Sequence, residues 1–185
     1  FCMVYTAENK LIREYDGEKM QIEAFGENSL RVRVTRKDAF SENDWALMPQ
    51  GEQTAQVTVM QNAKGEDGPK VNSEERIIED GAVMVNGKLK VTVTKEGKLI
   101  FENSRGEVLL KELECDRLSS LGIRSRELKS LPGGNFKARM KFEGNTGEKL
   151  FGMGQYQNGI FNLKGSILEL AQRNSQASIP FVCSS

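Results

Sequence analysis

The sequence predicts an all-β fold, a large antiparallel β-sandwich with little helix. Three observations carry this expectation. Apolar and polar residues alternate over short stretches, turn residues recur between those stretches, and apolar spacing of the helical kind is confined to one region. Alternation puts the apolar side chains of a strand on one face, and a one-faced sheet is stable only when a second layer covers it. Strand following strand with turn signals between them therefore reads as packed sheets.

From Lys10 to Asp38 the pattern is one of paired strands. Met20, Ile22 and Ala24 alternate with polar residues, Gly26-Glu27-Asn28-Ser29 supplies a turn, and Leu30, Val32 and Val34 alternate again. Phe40 to Gln53, with Trp45, Pro49 and Gly51, reads as a loop. Trp45, the single tryptophan, is expected to anchor a core or a loop, a sugar-stacking platform being the other use of an exposed indole. Val57 and Val59 mark a short strand, and Asn62 to Ser73 a polar surface loop.

Val83, Val85, Leu89, Val91 and Val93 form the next alternation around Asn86-Gly87, a pair suited to a type I′ hairpin because both residues tolerate positive φ. Gly97 and Gly106 bracket Leu99-Ile100-Phe101, and Val108 to Leu110 extends the meander. Leu109, Leu110, Leu113, Leu118 and Leu121 lie near helical spacing ahead of Pro132-Gly133-Gly134, which leaves a short helical turn open there. Ala138, Met140 and Phe142 restore strand alternation, and Gly144 to Gly147 turns the chain into its final stretch.

Composition narrows the function. A chain of 185 residues is expected to form one domain, 1–185, and 38% apolar with 28% charged content is ordinary for a globular protein. Lysine plus arginine number 26, as do aspartate plus glutamate, so no net field draws in a polyanion and nucleic acid is not an expected partner. No apolar run is long enough to span a bilayer, so a membrane is not expected either. Arg31, Arg33, Arg36 and Lys37, interleaved with Val32 and Val34, read as the solvated face of a strand rather than a phosphate-binding patch.

Cys2, Cys115 and Cys183 are odd in number and far apart, which argues against a disulfide framework or a zinc site and fits a reducing, cytoplasmic setting. No histidine is present, which removes Ser-His-Asp and Cys-His nucleophile systems and any imidazole acid or base. No cofactor is expected. Gly152-x-Gly154-x-x-Gln157 lacks the third glycine and the βαβ setting of a dinucleotide fingerprint, and Gly144 to Lys149 has the wrong spacing for a phosphate loop.

The stretch KLFGMGQYQNGIFNLKGSILELAQRNSQASIPFVCSS, Lys149 to Ser185, carries the most specific signal. Gly152 and Gly154, following the apolar pair Leu150-Phe151, mean that the backbone either turns or lies against something bulky. Four blocks follow in order: Phe151-Gly152-Met153-Gly154-Gln155, Leu163-Lys164-Gly165, Gln172-Arg173-Asn174 and Ile179-Pro180-Phe181. Together they resemble the end of the N-terminal domain of glycoside hydrolase family 31, the α-glucosidase and α-xylosidase family. "NSLRVRVT" and "GKLKVTVTKEGKLIFENSRGEVLLKE" resemble earlier parts of the same domain, so the resemblance covers most of the chain.

The resemblance implies a galactose-mutarotase-like β-sandwich and favours strand, loop, strand between Leu109 and Leu131. It also implies that 149–185 leads toward a catalytic (β/α)8 barrel absent from this chain. Retaining glycosidases use two carboxylates flanking the scissile bond. In the family both belong to the barrel, so no catalytic residue is expected here. The family's N-terminal domain sends a loop to the barrel mouth, where the acidic residue of an Asn-Arg-Asp step can touch the sugar. The matching position is Asn174, which keeps hydrogen-bonding capacity without the charge.

Asn174 and Arg173 are thus the candidate substrate-binding residues. Arg173 is as readily a loop pin that bonds backbone carbonyls. The expected function is an accessory domain of a retaining α-glycosidase, supporting the barrel and shaping the entrance for an α-linked substrate. A free-standing carbohydrate-binding module is the alternative. An aldose epimerase would suit the fold but relies on histidine.

Overall fold

The structure, a computed structural model, describes residues 2–48, 50, 57–61, 81–113 and 124–185. Expectations resting on Pro49, Gly51, the 62–73 loop, Cys115, Leu118 and Leu121 lie outside the described residues. Phe1–Glu143 and Gly144–Ser185 form two compact units. The described residues carry strands and turns and no helix, and every pairing is antiparallel.

In the first unit β1 (Cys2–Ala7), β2 (Lys10–Tyr15), β3 (Glu18–Ala24) and β4 (Leu30–Thr35) make one sheet in sequential order. β5 (Val57–Gln61), β6 (Ala82–Asn86), β7 (Leu89–Val93), β8 (Leu99–Asn103) and β9 (Val108–Lys111) make a second. β10 (Arg126–Leu131) and β11 (Asn135–Met140) form a separate hairpin. The positive φ of Gly133 and Gly134 turns this hairpin, so Pro132-Gly133-Gly134 joins two strands instead of stopping a helix. Leu109 and Leu110 likewise belong to a strand.

Register decides which side chains are buried. Leu11 stands opposite Ile22 and Met20 opposite Val34 in the first sheet, while Ala82 faces Val93 and Met84 faces Val91 in the second. Val4, Leu11, Met20 and Ile22 then meet Ala82, Met84, Val91, Val93 and Leu99 in one buried cluster. Each large aliphatic side chain fully buried there contributes roughly 1.5–3 kcal/mol.

One expectation needs correction. β6 buries Ala82, Met84 and Asn86 and leaves Val83 and Val85 half-buried. The period of two holds but its phase shifts by one residue, because valine suits either face whereas the hydrogen bonds of Asn86 draw that side chain inward. The hairpin turns are also distributed differently. Glu8-Asn9 and Asp16-Gly17 have positive φ at both residues and make the two-residue loops of β1–β2 and β2–β3. At Asn86-Gly87 the asparagine closes the ladder opposite Leu89, and in the Gly87-Lys88 loop positive φ occurs only at Gly87, which excludes type I′. Trp45, expected as an anchor, is instead 92% exposed.

Two polar clasps join the layers. At one end the fully buried Asn86 amide donates to the carbonyls of Gly26 (2.8 Å) and Ser29 (2.6 Å) in the β3–β4 turn, while Asn28 Oδ1 accepts the Lys88 amide at 2.7 Å. At the other end Arg126 reaches Glu18 of β3 at 2.9 Å, Glu112 just past β9 at 2.6 Å and the Gly97 carbonyl in the β7–β8 turn at 3.0 Å. Burial pushes the Glu112 carboxyl above its usual value, against the opposing pull of the Arg126 guanidinium.

Breaking a buried ion pair from one side leaves a charge without its partner and costs about 3–5 kcal/mol. Glu112→Ala is expected near 3 kcal/mol by urea unfolding, since Arg126 keeps Glu18 and the Gly97 carbonyl. Because the folded-state pKa of Glu112 is raised, its contribution is greatest in acid and declines as pH rises through the folded value. Glu112→Gln should remove that decline. Stability curves of wild type and Glu112→Gln that run parallel between pH 4 and pH 8 would disprove the assignment.

Candidate functional site

The second unit is built on β12 (Leu150–Gln155) and β13 (Ala177–Ser184), an antiparallel pair whose register shifts between Gly152 and Gly154. Three successive residues, Gly152, Met153 and Gly154, have φ of 109°, 64° and 106°. A Cβ on Gly152 would lie 2.5 Å from the Phe181 carbonyl oxygen, and one on Gly154 would lie 2.0 Å from that of Ala177. The two glycines therefore make a bulge pressed against the partner strand, and neither a turn nor a ligand loop.

The long connection between these strands is tied down by side chains. Asn162 Oδ1 accepts the amides of Leu150 (3.1 Å) and Lys164 (3.2 Å), and the Leu163 amide donates to the Leu150 carbonyl at 2.8 Å. Glu148 accepts from Ser184 at 2.7 Å and pairs with Lys164. The Lys164 ammonium and the Ser184 hydroxyl hold its carboxyl below the usual carboxylate value. Its contribution to the unit is thus complete above that usual value and is lost as pH falls through the lowered one. Phe161 stacks in a tilted arrangement on Phe151, ring centroids 4.9 Å apart.

Arg173 and Asn174 sit together at an exposed bend of this connection. The Arg173 guanidinium bonds the Glu169 carboxylate at 2.8 Å, with both side chains largely exposed. Such a surface pair is worth about 0–1 kcal/mol, so Arg173 is not the expected backbone pin. That role falls to Gln172, whose Oε1 accepts the Ser178 amide at 3.0 Å and whose amide nitrogen donates to the Gln176 carbonyl. The Gln176 amide closes the bend onto the Arg173 carbonyl at 3.1 Å, and Ser175 sits at φ 64°. Asn174 is exposed and its side chain makes no hydrogen bond among the described residues, which leaves its amide free for an external hydroxyl.

The unit contains the carboxylates Glu148, paired with Lys164, and Glu169, paired with Arg173. Among the described residues no group of three His, Cys, Asp or Glu side chains could hold a metal ion. Two members of the basic run lie on β4 and are paired, Arg31 with Asp44 at 2.6 Å and Arg33 with Glu23 at 3.4 Å.

A bulged Phe-Gly-x-Gly strand, a Gln-pinned bend and an Ile-Pro-Phe strand following a two-sheet sandwich agree with the match of residues 19–184 to the glycosyl hydrolase 31 N-terminal galactose mutarotase-like domain. The chain belongs to this family. An uncharacterized family 31 glucosidase from Pseudescherichia vulneris is 35% identical over 96% of the chain, which spans 33% of that protein. A GH31 α-xylosidase from a soil metagenome, solved with xylose, is 40% identical with a TM-score of 0.81 over 98% of the chain and 26% of its own. A GH31 α-xylosidase from Xanthomonas citri, 21% identical with a TM-score of 0.68 over 99% of the chain and 17% of its own, shares the fold.

The GH31 domain thus spans about a third or less of these relatives. Gly154→Ala in it is expected to unzip β12 from β13, because a Cβ there meets backbone and the φ is unfavourable for an L side chain. Hydrogen exchange at the Leu150–Gln155 amides should accelerate strongly. Gly165→Ala, also at positive φ but with open space around it, should cost only about 1 kcal/mol and leave that exchange unchanged.

Proposed function

We propose that this GH31 domain is the N-terminal accessory part of a retaining α-glycosidase of α-glucosidase or α-xylosidase type. It braces the catalytic barrel of the same parent chain and shapes the entrance for an α-linked substrate. The observation that carries the reading is the outward display of apolar side chains in the second unit. Ile167 is 100% and Phe161 82% exposed, and Ile179, Phe181 and Val182 of β13 are exposed as well. A two-stranded ladder is marginal in water, and one that shows apolar side chains needs a covering layer. The remaining two-thirds or more of the length of the relatives is the natural source of that layer.

In this reading the hydrolytic carboxylate pair belongs to the barrel. Asn174 lies at the substrate entrance and offers its amide to a sugar hydroxyl, with Gln172 holding the bend and Arg173 beside it. A cytoplasmic setting suits the exposed free thiol of Cys183. The alternative, a free-standing carbohydrate-binding module, draws on the exposed Trp45 indole as a stacking platform.

The 185-residue chain alone should not release nitrophenol from nitrophenyl α-glucosides or α-xylosides. Turnover abolished by mutating one of its own carboxylates would overturn the accessory role. In the full-length protein Asn174→Ala should lower specificity constants about threefold to tenfold, the worth of a hydrogen bond of about 0.5–1.5 kcal/mol. Unchanged constants on both glucoside and xyloside substrates would remove Asn174 from the site. Arg173→Ala should leave the melting temperature within about a degree, because its pair with Glu169 is solvent-screened. Saturable binding of xylo- or gluco-oligosaccharides to the isolated chain, lost in Trp45→Ala, would favour the binding module instead.

A further inference from the structure

The first unit holds a groove of about 590 Å³ lined by Arg36, Arg124, Arg126, Lys129, Arg139 and Lys141, and among the described residues the acids of its lining are Glu18 and Glu127. The chain as a whole is electrically balanced, so this cationic excess is local. Arg126 is spent on Glu18 and Glu112, and Glu18 is in turn taken by Arg126. Arg36 gives one bond to the Asp16 carbonyl at 3.1 Å, and Arg124 approaches the Asp16 carboxylate only to 4.0 Å. Lys129, Arg139 and Lys141 have no side-chain hydrogen bond or ion pair among the described residues.

The register of β10 and β11 places Lys129 and Arg139 of the lining on one face of the ladder. Lys129 stands directly opposite Lys137, and Glu127, opposite Arg139, is the one acid on that face of the ladder. Leu128 is the single apolar residue of the lining and no aromatic ring is present, which disfavours stacking of a neutral sugar and burial of an apolar ligand. A polar groove lined by guanidinium and ammonium groups instead matches the tetrahedral oxygens of phosphate.

We infer that this groove is a binding site for a phosphate-bearing small molecule. The same phosphate chemistry is offered by inorganic phosphate and by a sugar phosphate, and the groove volume falls in the range of small-molecule sites.

The test is titration calorimetry of the full-length protein with sodium phosphate and with glucose 1-phosphate, each against sodium chloride at matched ionic strength. Saturable heat with phosphate, absent with chloride, is expected, and the double variant Lys129→Ala/Arg139→Ala should raise Kd at least tenfold. The charge-conserving Lys129→Arg/Arg139→Lys should keep Kd within about threefold. A glucose 1-phosphate Kd more than tenfold below that of phosphate identifies a phosphorylated sugar as the ligand, and equal values identify free phosphate. Should the alanine pair melt early in chloride, Lys141→Ala carries the same comparison. Heats indistinguishable from matched chloride, or alanine variants that bind phosphate as tightly as wild type, overturn the site.

Discussion

Arg126 is the residue on which the arrangement of the first unit depends. Its guanidinium joins three segments distant in sequence: Glu18 at the start of β3, the Gly97 carbonyl in the β7–β8 turn, and Glu112 beyond β9. The pair with Glu112 is buried, with the carboxylate side chain 1% exposed, and desolvation outweighs the attraction, so the pair adds little stability of its own. What the contact supplies is position. A guanidinium with fixed donor directions admits one placement of the β10–β11 hairpin against both sheets, where apolar packing alone would tolerate sliding. The Asn86 clasp does the same at the opposite end of β7, with neutral amide chemistry and carbonyl acceptors.

The parts of the fold legible in the sequence are those set by near neighbours. Met20 and Ile22 alternate toward the core, and the hairpin of β3 and β4 turns at Gly26 to Ser29 as local chemistry dictates. The phase of β6 was not legible, because four of its five residues are apolar or small and only the long-range bonds of Asn86 settle which face turns inward. Asp16-Gly17 was as strong a hairpin signal as Asn86-Gly87 and makes the tighter match to the type I′ geometry. Arg126 and Glu18 lie 108 positions apart, a separation at which no periodicity can announce a contact.

In the second unit the order of motifs pointed to the family, while the bonding inside the unit needed coordinates. The glycines at Gly152 and Gly154 signalled close approach, but only register shows that the approaching object is β13 itself. Arg173 drew notice through its place in the Gln172-Arg173-Asn174 block, yet the neutral Gln172 holds the backbone from both ends of its amide. An amide can donate and accept at once, which suits it to bridging a bend, whereas guanidinium only donates.

The Ser185 amide bonds the Lys149 carbonyl at 3.0 Å, and the Lys149 amide bonds the Ser185 hydroxyl at 3.1 Å. The path from Lys149 round to Ser185 is therefore a closed detour, leaving beside the point where it set out. Length added to or removed from the connection within such a detour does not change the direction or spacing of its two feet. A segment built this way can be lengthened, shortened or exchanged in evolution while the strands at its base keep their register.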